Sequence, residues 1–599
     1  MPLPSIVLAA LGFGLATGLI EVVIHLIRKL ALGRILAFGM DFVWMTPLAN
    51  ALIFLLLALG FLLLALPFKR LRSPIVVYSF FGTVMLFGPL LLADRIHKAA
   101  ALVLALGLSV AIARGLARRA EGVHRFLLRA VPLLLVVLPL VGAGRYGLMR
   151  RAERKAIAAR AAAAAGQPNV LLLVLDTVRA WNLGFYGYWR PTTPKLARWL
   201  ERGVIFDRAL APGPWTTPSH ATFFTGFHPT EVSANWDTPL DRRQRTLAEV
   251  FAQAGYAVGG FVGNYRYAGS ATGLGRGFDR YQDYPVTFEQ ALRSAQLSAR
   301  AFTLGTVAEQ LGKRRLIQGG KDAVEVNVEF LHWLDGAGPG RPFFAFLNYF
   351  DAHAPYTPPP PWDSTFAGRD TQAADRHWNM LLRAFGPGPL PVQFLRETQD
   401  GYDAGIAYLD HQIDSLLTEL DTRGLLRNTV VIITSDHGEQ FGEHGLIQHG
   451  NSLFLPLLHV PLALYAPGRL PGGIRIQAPA PLRDLAATIL DAAGLPNPGL
   501  PGRSLLEPMK APETPRVDTL FAAVDYHRQL PKWPPSPILN GDLRSVVLDS
   551  LQYIRSSNGA EQLFHLGQDS WQVRNLAGVG SFGAELERHR AALTRLPGH

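Results

Sequence analysis

The sequence predicts two kinds of structure in one chain, an all-α polytopic membrane domain followed by an α/β domain built on a largely parallel sheet. Long apolar runs fill the first part of the chain, up to about residue 145. From residue 169 onward, short apolar runs alternate with segments of helical periodicity, which is typical of strands joined by helices. Near residue 510 the pattern changes to proline-rich stretches and short alternating segments, which indicate a small C-terminal α+β subdomain.

The membrane domain is predicted over residues 1–148. Runs of about 20 apolar residues match a hydrocarbon core about 30 Å thick. We expect about five spans and at least four, because one run is short and another contains Arg129. A cleaved signal peptide does not explain several such runs in succession. The runs cover residues 5–27, 41–66, 74–93, 99–113 and 126–144.

The charge pattern leaves the orientation of this domain open. Basic residues occur in nearly every connector, so the positive-inside rule finds little asymmetry. The basic segment 150–160 favours a cytoplasmic side for the rest of the chain, whereas five spans with the N-terminus inside place it outside. We expect an integral, multi-pass protein of the inner or plasma membrane, with membrane lipids as partners.

The α/β domain is predicted over residues 169–509, after an Ala/Arg-rich linker helix at 149–168 and before the C-terminal subdomain at 510–599. Its apolar runs are typical of strands buried on both faces of a parallel sheet. In such folds, ligands bind beyond the carboxyl ends of the strands. The strand runs cover 169–176, 256–264, 342–353, 428–439 and 460–468, and the helical patterns cover 194–202, 244–254, 322–335 and 401–420.

Composition excludes several classes of site. The chain has no cysteine, which excludes disulfides, thiolate metal sites and a cysteine nucleophile. The formal net charge of +12 comes largely from the membrane connectors and from surface arginines. The sequence contains no module that combines basic and aromatic side chains for nucleic-acid recognition. Compatibility with a membrane surface therefore explains the charge, and nucleic acid is not expected as a partner.

Polar side chains follow two of the predicted strands and suggest a metal site. Asp436 and His437 come near the end of the run at 428–439, and Asp176 ends the run at 169–176. Carboxylate oxygen and imidazole nitrogen are ligands for a divalent ion, and the ends of parallel strands share one edge of a sheet. The alternative is structural, with both aspartates as helix caps and His437 at the surface.

Two more histidines and a hydroxyl-rich loop occupy similar positions. His353 follows a predicted strand, and His449 follows His437 after a short interval. Either histidine could bind an anionic oxygen, protonate a leaving group, bind a second ion or serve the structure alone. The loop "GPWTTPSHATFF" (213–224) leads into a helical pattern near 218–224. Thr216 in that loop is therefore either a nucleophile or a helix cap.

Several motifs, taken in chain order, resemble the sulfatase family of the alkaline-phosphatase-like superfamily. The resemblance extends over roughly residues 169–577 and implies the α/β fold of that family. The motifs are "VLLLVLDTVRAWNLGFYG", "PWTTPSHATFFTGFHP", "GFDRY", "FFAFLNYFDAHAPYTPP", "YDAGIAYLDHQI", "VVIITSDHGEQFGEHG", "HGNSLFLPLLHVPLALYAPG", "LRDLAATILDAAGLPNPGLPGRSLL" and "YIRSSNGAEQLFHLGQDSWQVRNLA".

The family's signature is a nucleophile, any residue, and then Pro-Ser-Arg. By this resemblance Thr216 has the nucleophile position, Ser219 keeps the serine, and His220 replaces the arginine. Sulfatases oxidise a cysteine, or sometimes a serine, to formylglycine, and threonine cannot form that aldehyde. The chain is therefore similar to a threonine branch that includes membrane phosphoethanolamine transferases and lipoteichoic-acid synthases. Those proteins carry an external catalytic domain, so the resemblance favours an extracytoplasmic domain here.

The resemblance implies metal-dependent chemistry on an anionic ester that is linked to a lipid or a glycan. We expect phosphate-ester hydrolysis or head-group transfer, because a sulfate ester of threonine has no aldehyde route for release. The alternatives are sulfate-ester hydrolysis without formylglycine and a catalytically silent membrane binding module. The implied residues are Asp176, Thr216, Asp436 and His437 for a divalent ion (Zn, Mn, Mg or Ca), Thr216, His353 and His449 for catalysis, and Arg179, Ser219, His220 and His353 for substrate binding.

Overall fold

A computed structural model describes residues 1–32, 39–93, 96–303, 320–336, 340–366, 390–510, 519–527 and 536–596. The chain forms two compact units. Unit 1 contains Met1–Glu153 and Tyr284–Gly319, and unit 2 contains Arg154–Asp283 and Gly320–His599. The chain thus enters unit 2 after the N-terminal helices, returns to unit 1 at Tyr284, and enters unit 2 again at Gly320.

The bounds of the helices and strands are as follows. The helices are α1 (Leu3–Leu32), α2 (Phe42–Ala65), α3 (Pro74–Leu90), α4 (Lys98–Ala117), α5 (Ala120–Ala158), α6 (Pro194–Leu200), α7 (Thr216–Thr225), α8 (Leu247–Gln253), α9 (Phe288–Ser294), α10 (Gln296–Thr303), α11 (Ala323–Gly336), α12 (Val392–Thr422), α13 (Leu455–Leu458), α14 (Leu485–Ala493), α15 (Glu507–Lys510) and α16 (Gly583–Leu593). The strands are β1 (Asn169–Leu175), β2 (Val204–Leu210), β3 (Ala257–Val262), β4 (Arg280–Gln282), β5 (Phe343–Tyr349), β6 (Thr429–Thr434), β7 (Gln440–Phe441), β8 (Ile447–Gln448), β9 (Leu462–Tyr465), β10 (Ile474–Pro481), β11 (Leu520–Val524), β12 (Leu543–Leu548), β13 (Leu551–Ser556) and β14 (Glu561–His565).

The regular secondary structure among the described residues of unit 1 is entirely helical. Four of its helices, α1, α2, α4 and α5, are long and apolar enough to cross a membrane, judged by length and composition alone. Helix α3 is shorter, at 17 residues, and begins with Pro74 after Ser73, whose side chain accepts a hydrogen bond from the Val76 N–H. Helix α5 has 39 residues and continues without a break to Ala158, through much of the segment predicted as a separate linker helix.

Unit 2 contains an eight-stranded sheet in the order β10-β2-β9-β6-β1-β5-β3-β4. All neighbouring strands are parallel except that β9 runs antiparallel to both β2 and β6. The largely parallel sheet predicted from the sequence is therefore confirmed. In register, Val174 of β1 lies beside Asn348 of β5 and Thr434 of β6. The residues that follow these three strands consequently meet at one edge of the sheet.

The C-terminal part of unit 2 has its own antiparallel sheet in the order β11-β12-β13-β14. Helix α16 packs against β12 and β13. A separate apolar cluster that includes Val546, Tyr553, Leu563 and Leu593 fills the space between them. The small α+β subdomain predicted after residue 510 is confirmed.

Candidate active site

Three side chains of metal-ligand type meet at the carboxyl edge of the main sheet. Asp176 follows β1 directly, and Asp436 and His437 follow β6. Each of the three offers one potential ligand atom, and these three atoms lie within 4.8 Å of one another. All three residues are fully buried. Their meeting follows from the topology, because β1 and β6 are parallel neighbours that end at the same edge.

The two carboxylates of this cluster are only partly hydrogen-bonded. Asp176 Oδ2 accepts from Asn264 Nδ2 at 2.8 Å, and Asp436 Oδ1 accepts from the backbone N–H groups of Thr177 at 3.2 Å and His437 at 3.0 Å. Asp176 Oδ1 and Asp436 Oδ2 have no hydrogen-bond partner among the described residues. Burial raises the pKa of both carboxyl groups, to about 7 for Asp436.

These observations fit a bound cation. A buried carboxylate without a compensating charge is costly, and a metal ion supplies that charge. Two carboxylates and an imidazole nitrogen form a common donor set for a divalent metal. His437 also has the tautomer that a ligand needs, since its Nδ1 lies 3.0 Å from the Gly438 carbonyl and must donate to it. Its Nε2 therefore carries the lone pair. Burial lowers the pKa of the His437 imidazole to about 3.

Thr216 lies at this cluster. Its Oγ1 is 3.3 Å from His437 Nε2, and the residue is 2% exposed. Helix α7 begins at Thr216 itself, two residues earlier than the pattern predicted, and Trp215 is the N-cap. Thr216 is therefore not the cap of this helix, and its hydroxyl faces His437. The partial positive charge of the helix N-terminus lies at the same place.

The two other candidate histidines lie beside His437. The ring centre of His449 is 4.4 Å from that of His437 and 5.1 Å from that of His353. Nδ1 of His449 donates to Glu439 Oε1 at 3.0 Å, and Nδ1 of His353 donates to the Ala354 carbonyl at 2.9 Å. In both rings Nε2 is the atom that remains for other contacts. Burial and the neighbouring His353 lower the pKa of His449.

Comparison with known proteins identifies the family. The family model described as Sulfatase matches residues 168–495, which is more than half of the chain. The chain belongs to the sulfatase family. The sulfatase match covers all eight strands of the main sheet together with Asp176, Thr216 and Asp436.

Individual relatives of the sulfatase domain are distant. The iduronate 2-sulfatase of Homo sapiens is 26% identical over 337 residues, which are 50% of this chain and 60% of that protein. The arylsulfatase of Clostridium perfringens is 24% identical over 392 residues, 57% of this chain and 79% of that protein. The chain thus spans less than two thirds of the length of the iduronate 2-sulfatases that it matches.

Solved structures share the fold of the sulfatase domain. The phosphonate monoester hydrolase of Agrobacterium radiobacter matches with a TM-score of 0.55 and 21% identity, over 72% of this chain and 95% of that chain. The phosphonate monoester hydrolase of Silicibacter pomeroyi matches with a TM-score of 0.55 and 20% identity, over the same shares. At this identity the likeness concerns the fold, which is the alkaline-phosphatase-like fold expected from the sequence.

Three residues of the sulfatase domain that were predicted to contact substrate have protein partners. The Ser219 hydroxyl donates to the Gly213 carbonyl at 3.0 Å and closes the loop before α7. His220 is fully buried and donates from Nδ1 to the Thr216 carbonyl at 2.8 Å. The Arg179 guanidinium is also buried and pairs with Glu443 at 2.6 Å. These contacts stabilise the site. His353 differs from these three residues, because only its Nδ1 is hydrogen-bonded to the backbone and its Nε2 remains for other contacts.

Three polar residues of the sulfatase domain escaped the sequence analysis. Asn264 and Asn348 both donate to Asp176 Oδ2, at 2.8 and 3.5 Å, and Glu439 holds His449. Asn264 ends the predicted strand run at 256–264, as Asp176 ends the run at 169–176. A polar residue at the end of a predicted strand was therefore a signal by which Asn264 could have been recognised. Glu439 lies two residues after His437, within the strand motif, but nothing in the pattern marks it as the partner of His449.

Proposed function

We propose that this chain is a membrane-anchored, metal-dependent enzyme that hydrolyses or transfers phosphate esters through Thr216. The observation that carries the proposal is the 3.3 Å distance between Thr216 Oγ1 and His437 Nε2, at the edge of a buried cluster with two unsatisfied carboxylate oxygens. A hydroxyl in that position is held where a cation bound to the cluster can touch it. No cysteine is available for conversion to formylglycine.

Asp176, Asp436 and His437 would hold a divalent cation, with Thr216 Oγ1 as a further ligand. Zn, Mn, Mg and Ca all accept such a donor set. When bound, the cation lowers the pKa of the hydroxyl that it touches and offsets the negative charge of the ester oxygens. Asn264 and Asn348 support this site by orienting Asp176.

The reaction has two displacements at phosphorus. In the first, Thr216 Oγ bonds to phosphorus while the bond to the leaving ester oxygen breaks. His449 accepts the threonine proton on Nε2 and gives it to the departing oxygen, while Glu439 holds Nδ1 and stabilises the charged ring. In the second, the oxygen of water or of another alcohol bonds to phosphorus while the bond from Thr216 Oγ to phosphorus breaks, and His449 passes the proton of the attacking group to Thr216 Oγ. His353 contacts the oxygens of the transferring group.

Phosphorus suits this nucleophile better than sulfur does. A second nucleophile can displace a phosphothreonine ester directly at phosphorus. A formylglycine hydrate can release sulfate by collapsing to its aldehyde, and threonine has no such route. Sulfate-ester hydrolysis is the second candidate, because the curated relatives named above are sulfatases. A silent binding module is the third, and the unsatisfied carboxylate oxygens of the buried cluster disfavour it.

The proposed organisation follows from the apolar helices. We assign residues 1–148 to the membrane domain, 149–168 to a linker, 169–509 to the catalytic domain and 510–599 to its C-terminal subdomain. The four long apolar helices support anchoring in the membrane, and the resemblance to the threonine branch supports an extracytoplasmic catalytic domain. The substrate would be an anionic ester attached to a lipid or a glycan.

Paired substrates test the proposal. The purified full-length protein is assayed with an aryl phosphodiester and an aryl sulfate, as wild type, Thr216→Ala and Thr217→Ala. We expect turnover of the phosphodiester and a loss of about 10⁴-fold or more in Thr216→Ala, since a nucleophile is removed. Thr217→Ala is the matched control, because the Thr217 hydroxyl donates to the Tyr267 carbonyl and not toward the cluster.

Two results would contradict the proposal. Turnover of the aryl sulfate alone would exclude the preference for phosphorus. Phosphodiester turnover that is equal in Thr216→Ala and wild type would exclude Thr216 as the nucleophile.

A further inference from the structure

Unit 1 contains an apolar cavity of about 290 Å³ between α2 and the segment that leads into α9. One wall is formed by α2 residues between Trp44 and Leu52, and the other by residues from Val286 to Leu292. Apart from Thr287 and the indole of Trp44, the lining side chains are hydrocarbon, aromatic or thioether groups. Val286 and Phe288 are exposed to the surroundings of the unit, so the cavity lies next to an open apolar surface.

Buried polar contacts fix the second wall of the cavity to the membrane helices. The Thr46 hydroxyl donates to the Ser294 carbonyl at 3.4 Å, and the Gln296 N–H donates to Glu21 Oε2 at 3.3 Å. Asn50 Nδ2 donates to the same Glu21 oxygen at 3.0 Å. Hydrogen bonds among buried groups in an apolar environment are specific and costly to break. The cavity is therefore built into the unit before any ligand arrives.

The cavity runs along α2, away from a polar helix end. From Trp44 to Leu52 the axis of α2 rises about 12 Å at 1.5 Å per residue. At the Trp44 end, the Trp44 indole N–H donates to Asp41 Oδ1 at 3.1 Å, and Arg145 pairs with Asp41 at 3.2 Å. A tryptophan and an ion pair at the end of an apolar helix mark the level where membrane and water meet. The cavity thus leads from that level toward the middle of the helix.

We infer that this cavity holds one acyl chain of a membrane phospholipid, with the lipid phosphate beside Arg145. The inference rests on the proposed insertion of unit 1 in a membrane and is independent of the reaction. Arg145 contacts Asp41 through Nε and Nη2, which leaves Nη1 for a phosphate oxygen. The chain follows the cavity from the interface into the hydrocarbon, past Leu48 and Ala291.

The size of the cavity excludes a helix as its occupant. A helix about 10 Å across and 12 Å long fills roughly 900 Å³, about three times the volume of the cavity. A single extended hydrocarbon chain is much thinner. The lining offers an acyl chain dispersion contacts on several sides, and such contacts stabilise association within a membrane where the hydrophobic effect contributes little.

Photolabelling tests the inference on the full-length protein. The protein is reconstituted in phosphatidylcholine vesicles that contain a phosphatidylcholine with a diazirine midway along one acyl chain, and labelled positions are mapped by mass spectrometry. We expect labels concentrated at residues 44–52 and 286–292. Ala291→Phe fills the cavity from α9 and should lower this labelling about tenfold, equivalent to about 1.4 kcal/mol of binding free energy. Ala111→Phe, on the exposed surface of α4, is the matched control and should leave it unchanged.

Two further variants and a membrane-extraction assay also test the inference. If Ala291→Phe does not fold, Ala49→Leu fills the opposite wall with a smaller change, and Arg145→Gln, which adds no bulk to the cavity, should also lower the labelling by removing the phosphate contact. Labels spread evenly over α4 and the cavity, or equal labelling in the filled variants and wild type, would overturn the inference. Release of the protein from membranes by alkaline carbonate would instead show that unit 1 is not inserted, whereas catalysis is judged separately by the aryl substrates.

Discussion

Two groups of buried charges in the sulfatase domain differ in how completely their atoms are paired. Around Asp403 both carboxylate oxygens have donors. Oδ1 accepts from Asn182 at 2.6 Å, and Oδ2 accepts from the Tyr188 hydroxyl at 2.7 Å and Arg190 at 2.8 Å. At the sheet edge, Asp176 and Asp436 each keep one oxygen without a hydrogen-bond partner among the described residues.

The difference in hydrogen bonding distinguishes a carboxylate that stabilises the fold from carboxylates that could bind a cation. Asp403 and Asp436 are both fully buried, so both pay the same kind of desolvation. The network around Asp403 offsets part of that cost with protein donors and stabilises the fold, although burial still raises the pKa of Asp403. The cluster at Asp436 offsets it only when a cation binds. Substitutions in the first group should therefore change stability, and substitutions in the second should change metal binding and activity.

Among substitutions in these two groups of buried charges, the largest effect is expected from Asp436→Asn. The variant keeps one oxygen for the Thr177 and His437 N–H groups but loses the negative charge that would bind the cation. We expect kcat/KM to fall about 10³- to 10⁴-fold, because a bound ion supplies several kcal/mol of transition-state stabilisation. Kinetics of the full-length protein with the aryl phosphodiester measure this effect.

The pH dependence of stability in the absence of metal also distinguishes wild type from Asp436→Asn. Burial raises the pKa of Asp436 from 3.8 to about 7, so between these values the folded protein holds a proton that the unfolded chain has lost. The stability of metal-free wild type should therefore fall relative to Asp436→Asn as pH rises from about 4 to 7, and stay constant above. Thermal unfolding in the presence of a chelator, at several pH values, measures this difference in stability. A wild type that gains stability over this range would contradict the assignment of Asp436 to the unpaired group.

The next effect is expected from Asp403→Asn. The amide nitrogen of the variant cannot accept a hydrogen bond from Tyr188 or Arg190, so the half-buried Tyr188 hydroxyl loses its acceptor and Arg190 keeps only its ion pair with Asp400. We expect the free energy of unfolding to fall by about 3 kcal/mol, with metal binding retained in the folded fraction. Denaturant unfolding and metal analysis of the folded protein check both parts. If Asp403→Asn lost the metal without losing stability, Asp403 would belong with the cation-binding carboxylates and the proposed difference between the two groups would be wrong.

A smaller effect is expected from Glu439→Gln, which keeps an acceptor for His449 Nδ1 but removes the charge beside the ring. Glu439 is a positioning residue, so its loss should weaken proton delivery to the departing oxygen. We expect about a 100-fold loss for an alkyl ester, within the range of general acid catalysis, and little loss for a 4-nitrophenyl ester that departs unaided. Equal losses for both esters would indicate a structural role only.

The smallest effect is expected from Ser219→Ala. The hydroxyl donates to the Gly213 carbonyl inside the loop, so the variant loses one hydrogen bond, about 1 kcal/mol of stability. KM should be unchanged, because the side chain does not face the cluster. A large increase in KM with unchanged stability would restore the substrate contact predicted from the sequence.

The sheet edge could be predicted because it depends on a repeating pattern. Asp176 and Asp436 follow apolar strand runs, and parallel strands bring their carboxyl ends together whatever the intervening loops do. The partner of Ser219 could not be predicted, since it depends on the path of a single loop. The segment 284–325 is expected from its sequence to form helices near the membrane or the mouth of the site, but its return to unit 1 at Tyr284 could not be predicted. It depends on contacts such as that of Gln296 with Glu21, which are distant in sequence and have no local signal.

Metal analysis tests the central claim most directly. Full-length wild type, Asp436→Asn and Asp403→Asn are purified in parallel, and the metal-to-protein ratio of the folded fraction is measured. We expect about one divalent ion per chain in wild type and Asp403→Asn and almost none in Asp436→Asn. No stoichiometric metal in wild type, or equal metal in both variants, would show that the unpaired carboxylates at the sheet edge do not form a cation site.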